Sequence, residues 1–437
     1  MADKASAHPH KEFFVHMITK DIALDACVLD LVDNAVDGAT RALGAKWKRD
    51  KAYEPYKISL TFDAKEFEIA DNCGGIAYAD ARDYAFRFGR DPNEGPDTKH
   101  GIGLYGIGMK RALFKIGRDI KVVSSTDTEG FEVAIDVSDW ASEDGWEFDL
   151  KKKTTHESST TITVKSLSDG IGDDFKDSVF ENRLVRTISR VYTRFIARGL
   201  TVEINGKSID AQPFTLKSNK EFKPYTTTFE QGGVTVSIVA GLAEPPPEDD
   251  SAEAEIPKID YYGWYVVCNE RIIIAGNKTD RTVWGEDGFQ SWHPQYSGFL
   301  GLVMFDAADP LKLPWGTTKT DVDLTSAVYR RAVVKMKEAT KQYITYTTKR
   351  KASLQKARDL EKKAPAVSAF EVVGKNQNQK MVVPKIQEPT GPELVNIQYQ
   401  KSTIEVEQAA AALGNPRMSA KMVGTKTFEY FVKNEVD

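Results

Sequence analysis

Cysteine is nearly absent. The chain has three in 437 residues, Cys27, Cys73 and Cys268, none close to another. That excludes a disulfide framework and a cysteine zinc site, and it fits a reducing cytosol. His8 and His10 lie in a polar arm over residues 1–12, read as a mobile tail rather than a metal site. No apolar run approaches the roughly 20 residues a membrane span needs. The opening MADKASAHPHKEFF has no apolar signal core. A cytoplasmic protein without a membrane partner is expected. Neither sign of charge dominates: 59 Lys and Arg stand against 64 Asp and Glu, for a net −5. The global charge therefore does not call for nucleic acid. There is no internal repeat, and the C-terminal third holds no nuclease, protease or kinase constellation.

What is present suffices for real cores, with 41% hydrophobic residues, and the length suggests two or three domains. The chain is organised around Cys27–Thr40, CVLDLVDNAVDGAT, read as a helix ending near Leu43. Residues three or four apart share a helix face, so Asp30, Asn34 and Asp37 fall on one side. Leu29, Val32 and Val36 fall on another and can enter a core. Asp33 adds a further carboxylate. Asp and Asn are mediocre helix formers, so the polar stripe calls for a ligand or a metal. Lys57–Phe62 (KISLTF) and Glu66–Ala70 alternate like paired strands. The second runs into DNCGGI, Asp71–Ile76, a carboxylate followed by a sharp glycine turn. Alone, this reads more simply as an ordinary hairpin turn. Arg90–His100 reads as a long mobile loop. It enters GIGLYGIGMKRALFKIG, in which Gly101, Gly103, Gly106 and Gly108 lead into a helix carrying Lys110 and Arg111. Glycines let backbone N–H groups approach phosphate oxygens, and a helix N-terminus adds partial positive charge. The loop follows a helix and a hairpin, which fits a dinucleotide fold poorly. Close packing of two backbones also explains such glycines.

Further strands are expected at Ile120–Ser124, Phe131–Asp136, Trp146–Leu150 and Ser158–Leu167. An amphipathic helix follows over Val179–Ala197. Val202–Ile204 and Lys207–Ile209 flank Asn205-Gly206, a hairpin signal. Residues 243–255 hold six acidic groups and three consecutive prolines, as a linker would. Trp264–Asn269 pairs with Arg271–Ala275, and Gly298–Phe305 is another strand. Leu313–Leu324, centred on Lys319, reads locally as a surface loop. Ser326–Lys363 reads as one long helix. Residues 330–363 carry twelve Lys and Arg against three Asp and Glu. Such a helix can track a phosphate backbone, but is more often a solvated face or a contact within the protein. Residues 364–400 are expected to be poorly ordered, with short helices at Ile404–Leu413 and Thr427–Val432.

The order and spacing of these signals resemble the GHKL ATPases, the group containing gyrase B, the large heat-shock chaperones, histidine kinases and MutL. DLVDNAVDGAT looks like the helix whose Asn holds magnesium. DNCGGI looks like the adenine-reading turn, and GIGLYGIGMK like the lid and phosphate loop. A fourth box, usually Gly-Thr, is similar to Ser159-Thr160 in STTIT. The likeness covers roughly residues 13–168. Residues 175–325 resemble the transducer domain of gyrase B, MutL and MORC proteins. Lys319 in TTKTD matches the transducer lysine that reaches the γ-phosphate. The chain is most similar to MORC-like and MutL-like clamps, and to bacterial stand-alone members found among anti-phage defence genes.

This resemblance implies a Bergerat-type α/β sandwich over residues 1–170, a transducer-type α/β domain over 171–325 and a C-terminal helical extension over 326–437. It implies magnesium-dependent binding of ATP and its hydrolysis to ADP and phosphate. Asp71 would accept the adenine amino group, beside Gly75, Ile76 and Thr160. Asn34 would hold Mg²⁺, with Asp37 close by. Gly101, Ile102, Gly103, Leu104, Tyr105, Gly106, Ile107, Gly108, Met109 and Lys110 would surround the phosphates. Asp30 would act as general base and Lys319 would steady the γ-phosphate. Residues 77–100 would close as a lid and expose a surface for an ATP-dependent homodimer. DNA would meet the basic helix 330–363. Three departures stand out. Asp30 replaces the usual Glu and is one methylene shorter, which implies slow turnover. Cys73 and Ser159 replace glycines. The alternative is a nucleotide-binding regulatory scaffold with negligible turnover that signals to a partner effector protein.

Overall fold

A computed structural model describes the chain except residues 1–9, 90–98, 104–105, 155–156, 248–257, 287, 317, 376–377, 385–396 and 437. Residues 1–387 form one compact unit and 388–437 a second.

The first unit opens with helices α1 (Lys11–Lys20) and α2 (Leu24–Leu43), then strands β1 (Lys57–Phe62) and β2 (Glu66–Asp71). After the short α3 (Tyr78–Asp80) come α4 (Gly108–Ile116), β3 (Gly117–Ser125), β4 (Gly130–Asp136) and α5 (Val137–Ser142). They are followed by β5 (Leu150–Lys153), β6 (Ser159–Leu167), α6 (Ile171–Lys176), α7 (Ser178–Val191), α8 (Thr193–Ala197), β7 (Thr201–Ile204) and β8 (Lys207–Ser208). The strands form one eight-stranded sheet in the order β5-β4-β3-β6-β2-β1-β7-β8. Every neighbouring pair is antiparallel except β1 with β7. Alternation decides the buried face: Ile58, Leu60 and Phe62 on β1, Phe67 and Ile69 on β2, and Ile162 and Val164 on β6 share a core with Val28, Leu31, Val32 and Val36 of α2. The sandwich expected at the N-terminus is thus present, and its sheet continues to Ser208.

The next strands are β9 (Thr215–Lys217), β10 (Tyr225–Gln231), β11 (Val234–Leu242), β12 (Gly263–Cys268), β13 (Arg271–Asn277) and β14 (Phe299–Asp306). A second sheet has the order β10-β11-β14-β12-β13. Helix α9 (Ala327–Lys349) buries Tyr329, Met336 and Tyr343 in the same core as Val236, Ile238 and Phe299 of this sheet. α10 (Leu354–Lys363), β15 (Ala366–Ser368) and α11 (Ala369–Lys375) complete the unit. In the second unit, α12 (Thr403–Ala412) stands close to its expected place, while α13 (Ala420–Phe431) begins seven residues before the expected Thr427, where Ser419 caps it. α12 begins with a capping box between Ser402 and Glu405.

Several expectations are corrected. Trp146–Asp149 is not strand, because its aromatic rings enter a cluster: Trp146 lies 5.5 Å from Trp140 and 5.8 Å from Phe88 between ring centroids. The Val179–Ala197 helix breaks at Tyr192, whose hydroxyl turns to Leu29 O and Asp33. The long basic helix breaks at Arg350–Ser353, where Arg350 is buried against Glu361, Nε to Oε1 at 2.8 Å and Nη2 to Oε2 at 3.0 Å. Residues 364–400 are not uniformly irregular, since β15 pairs with β9 and Lys223 bridges Val382. Lys11, placed in the polar arm, is buried and donates to Trp140 O and Glu143 O, each at 2.7 Å. His8 and most of the acidic linker lie outside the described residues.

Candidate functional site

Helix α2 forms because its apolar residues, Cys27, Val28, Leu31, Val32, Ala35, Val36 and Ala39, recur on the faces turned to the core. Between Cys27 and Thr40 only Asn34 is exposed, and Asp37 is half-buried. Asp30 and Asp33 are buried instead, so their charges need partners. Asp30 accepts from Arg111 Nη2 at 2.7 Å and from Lys319 Nζ at 3.2 Å. Asp33 accepts from Arg271 Nε, Tyr192 Oη and Lys319 Nζ at 2.7, 2.7 and 2.6 Å. Burial alone would raise the Asp33 pKa, but Arg271 and Lys319 outweigh it and hold the carboxyl below its ordinary value. Burial likewise pulls Lys319 down, and Asp33 with Asp30 carries it above its ordinary value.

Lys319 reaches this cluster from a tight hairpin between β14 and α9. Trp315 bridges Val322, and Gly316 N–H donates to Asp321 O at 2.9 Å. Lys319 itself sits at φ +54°, a conformation that costs a non-glycine residue about 1 kcal/mol or more. Arg271 Nη1 donates to its carbonyl at 2.9 Å and helps hold it there. Local sequence favours a solvated loop at this point, yet the side chain is 5% exposed.

The glycine loop is tied to α2. Asp37 accepts from Ile102 N–H at 2.7 Å and from Gly103 N–H at 2.6 Å. Its pKa is raised by burial, against the pull of those two donors. A Cβ on Gly103 would stand 3.3 Å from Asn34 Oδ1, and one on Gly108 3.1 Å from Asp30 Cγ. Both glycines therefore let the loop and the start of α4 approach the helix. Gly106 adopts φ +63°. Gly101 and Ile102 are buried, while Ile107 and Met109 are half-buried. Leu104 and Tyr105, and residues 90–98 of the expected lid, lie outside the described residues.

Lys110 is placed differently from its expected position at the phosphates. Successive helix residues point about 100° apart, and Arg111 takes the direction towards Asp30. Lys110 is 3% exposed and its amine donates to Ala85 O at 2.9 Å. Burial pushes its pKa down to about 7.

Across the sheet, Asp71 ends β2 and accepts from Cys73 N–H at 2.8 Å. Burial raises its pKa to about 6. Gly75 has φ +67°, and a Cβ there would collide with the carbonyl oxygen of Ser125. Ile76 N–H donates to Ser124 Oγ at 2.9 Å, and Ser124 shares a 2.8 Å hydrogen bond with Thr160 Oγ1. Gly38 belongs to the same junction, since a Cβ on it would strike the Cys73 carbonyl. The structure thus gathers Asp30, Asn34, Asp37, the glycine loop and Lys319 around α2, links Ile76 and Thr160 through Ser124, and sets Gly75 against the Ser125 carbonyl.

Residues 22–169 match the family model for histidine kinase-, DNA gyrase B-, and HSP90-like ATPases. The match takes in all of α2, all of β1 to β6, and the glycine loop. It covers about a third of the chain and supports ATP binding by this domain, together with an α/β sandwich of that type. A search of curated proteins found no match to the chain.

Sequence reasoning gave no role to Asp33, Arg271, Tyr192, Ser124 or Gly38. Gly38 alone carried a signal, being a glycine inside a helix, where it costs about 1 kcal/mol against Ala and so needs a packing reason. Among the described residues no group of three or more His, Cys, Asp or Glu side chains is arranged to hold a metal. Mg²⁺ in a nucleotide site takes oxygen ligands from substrate phosphates, water and a few protein side chains. Asn34, exposed between buried neighbours and beside Gly103, has the donor chemistry for it.

Proposed function

We propose that the protein binds ATP with magnesium, hydrolyses it slowly to ADP and phosphate, and uses the cycle as an ATP-gated dimeric clamp. What carries the reading is the convergence of Asp30 and Lys319, 289 residues apart in sequence and 3.2 Å apart in space, beside an exposed Asn34 and a glycine loop. ATP lies between α2 and the turn after β2. Asp71 accepts the adenine amino group, with Gly75, Ile76 and Thr160 alongside. Asn34 would hold the magnesium, whose positive charge would offset the negative charge of the phosphates. Gly103, Gly106 and Gly108 let backbone N–H groups approach the phosphates, and Asp37 fixes the loop that carries them. Asp30 orients the attacking water and takes its proton. Lys319 stabilises the charge that gathers on the γ-phosphate. Residues 171–325 act as a transducer that carries Lys319.

The clamp closes when a second copy docks on the ATP-bound form. Its cargo in this reading is DNA, in keeping with a role in anti-phage defence. Arg330, Lys341, Lys349, Lys351, Lys356, Lys362 and Lys363 are exposed on α9, α10 and the break between them, and exposed cations can meet a phosphate backbone.

Steady-state ATP hydrolysis by wild type beside Asp30→Ala tests the enzyme reading. A wild type that binds ATP but shows no turnover would overturn it. Asn34→Ala should abolish magnesium-dependent ATP binding. Sizing with ATP, ADP and a non-hydrolysable analogue tests the dimer. For DNA, Lys→Glu changes at 349, 351 and 356 should weaken salt-sensitive binding. Removing α9 is no substitute, because its buried face belongs to the core.

A further inference from the structure

The side chain that holds Lys319 most closely has no part in the reaction just described. Asp33 is fully buried, and its two oxygens are divided. Oδ1 accepts from Arg271 Nε and Tyr192 Oη, both at 2.7 Å. Oδ2 holds the Lys319 amine at 2.6 Å, closer than Asp30 holds it at 3.2 Å. Arg271 and Tyr192 are buried at 2% and 0% exposure and come from β13 and the break between α7 and α8. Arg271 also binds the Lys319 carbonyl. One guanidinium therefore steadies both the carboxylate and the backbone of the lysine it grips.

We propose that Asp33 is a positioning residue: with Arg271 and Tyr192 it latches Lys319 when no nucleotide is bound, and it yields the lysine to the terminal phosphate of ATP. This rests on reading Lys319 as the γ-phosphate cation. In the latched state Asp30 is paired with both Arg111 and Lys319, so each of its two oxygens faces a cation. Transfer of the Lys319 amine to the γ-phosphate removes one of those two cations from Asp30. Asp33 does not become an orphaned buried charge, because Oδ1 keeps its two donors. ADP offers no terminal phosphate to exchange for the latch, so the cost of breaking it is recovered only with ATP. Discrimination between ATP and ADP thus depends on how tightly Asp33 grips the lysine.

The test measures the ratio of ADP to ATP dissociation constants with magnesium in full-length variants. Asp33→Asn weakens the grip and should raise the ratio about tenfold. Tyr192→Phe removes a competing donor from Asp33, tightens the grip and should lower the ratio. A residue that merely supports the fold would move both in the same direction. Lys319→Met should collapse the difference between the nucleotides. If Lys319→Met discriminates as wild type does, Lys319 does not meet the γ-phosphate and the underlying reading fails. If Lys319→Met collapses the ratio but Asp33→Asn leaves it unchanged or lowers it, the latch alone is overturned. Should Asp33→Asn not fold, Tyr192→Phe decides: a lowered ratio supports the latch, and an unchanged or raised one overturns it.

Discussion

Replacing Lys110 with Met should stabilise the protein at neutral pH and abolish one component of its pH dependence. Lys110 is 3% exposed, and its amine meets a carbonyl, Ala85 O, rather than a carboxylate. Burial lowers its pKa from 10.5 to about 7. A displacement of this size corresponds to about 5 kcal/mol against the charged form. The sign follows from proton counting. Between pH 7 and 10.5 the unfolded chain binds the proton and the folded one does not, so stability rises with pH, by at most about 1.4 kcal/mol per unit. Below about 7 both states are protonated, the slope vanishes and the full penalty applies. Met keeps the length and apolar stem of Lys and removes the amine. It forfeits one hydrogen bond worth roughly 1 kcal/mol, and Ala85 is only half-buried, so water can replace that donor. The net gain near pH 6 should be about 4 kcal/mol. Urea denaturation of both proteins at pH 6 to 9 measures it, with m-values checked for equality. Wild type and Lys110→Met should converge as pH rises. Parallel curves would refute the argument. ATP affinity adds a second check. A lysine on the phosphates should cost roughly tenfold to hundredfold when removed, whereas one held by Ala85 O should cost little.

ATP affinity should be flat above pH 6 and weaken by about tenfold per unit below it, because Asp71, raised to about 6, must lose its proton to accept the adenine amino group. Asp71→Asn should erase that difference in parallel ATP titrations, since an amide does not titrate. Gly75→Ala should cost several kcal/mol and abolish ATP binding, because a Cβ at φ +67° meets the Ser125 carbonyl. Gly206→Ala, in an exposed hairpin turn with nothing among the described residues within 4 Å of its Cβ, should cost only the roughly 1–2 kcal/mol of its φ of +78°, as thermal unfolding of the pair would show. Arg350→Ala should lose about 3–5 kcal/mol by stranding the buried Glu361 carboxylate, whereas Lys351→Ala nearby should be close to neutral in the same denaturation assay.

Elements with a clear period were legible from sequence. α2 ends at Leu43 as its apolar spacing indicates, and β1 matches its KISLTF alternation residue for residue. The Asn205-Gly206 hairpin is present with φ +48° and +78°. The β10–β11 hairpin was missed, although Gly232 and Gly233 turn it at φ +61° and +82°. The stretch before that turn, YTTTFEQ, is mostly polar, and its burial depends on neighbours that only the fold supplies. The basic helix failed for a related reason. Counting charges treats Arg350 and Lys351 alike, but one is buried on Glu361 and the other is exposed. Arg271 is the hardest case. An arginine opening the apolar run RIIIA reads as the solvated end of a strand, and its partner Asp33 is 238 residues earlier. No local pattern encodes such a pair.

Asp30 and the glycine that opens α4 belong to one arrangement. Asp30 Cγ lies 3.1 Å from where a Cβ on Gly108 would stand, so the start of α4 presses on that carboxylate. One turn into α4, Arg111 reaches Asp30 Oδ2 at 2.7 Å, while Lys319 approaches Oδ1. The carboxylate is thereby fixed from two sides by groups that converge at the reach of an aspartate. A glutamate would carry the same charge one methylene further, past the point where the arginine and the lysine meet, or would fold back against Gly108. Asp30 is therefore more than a truncated form of the usual residue. The space around it is built to its length, and in the proposed reaction the hold of its two cations would limit it as much as its reach.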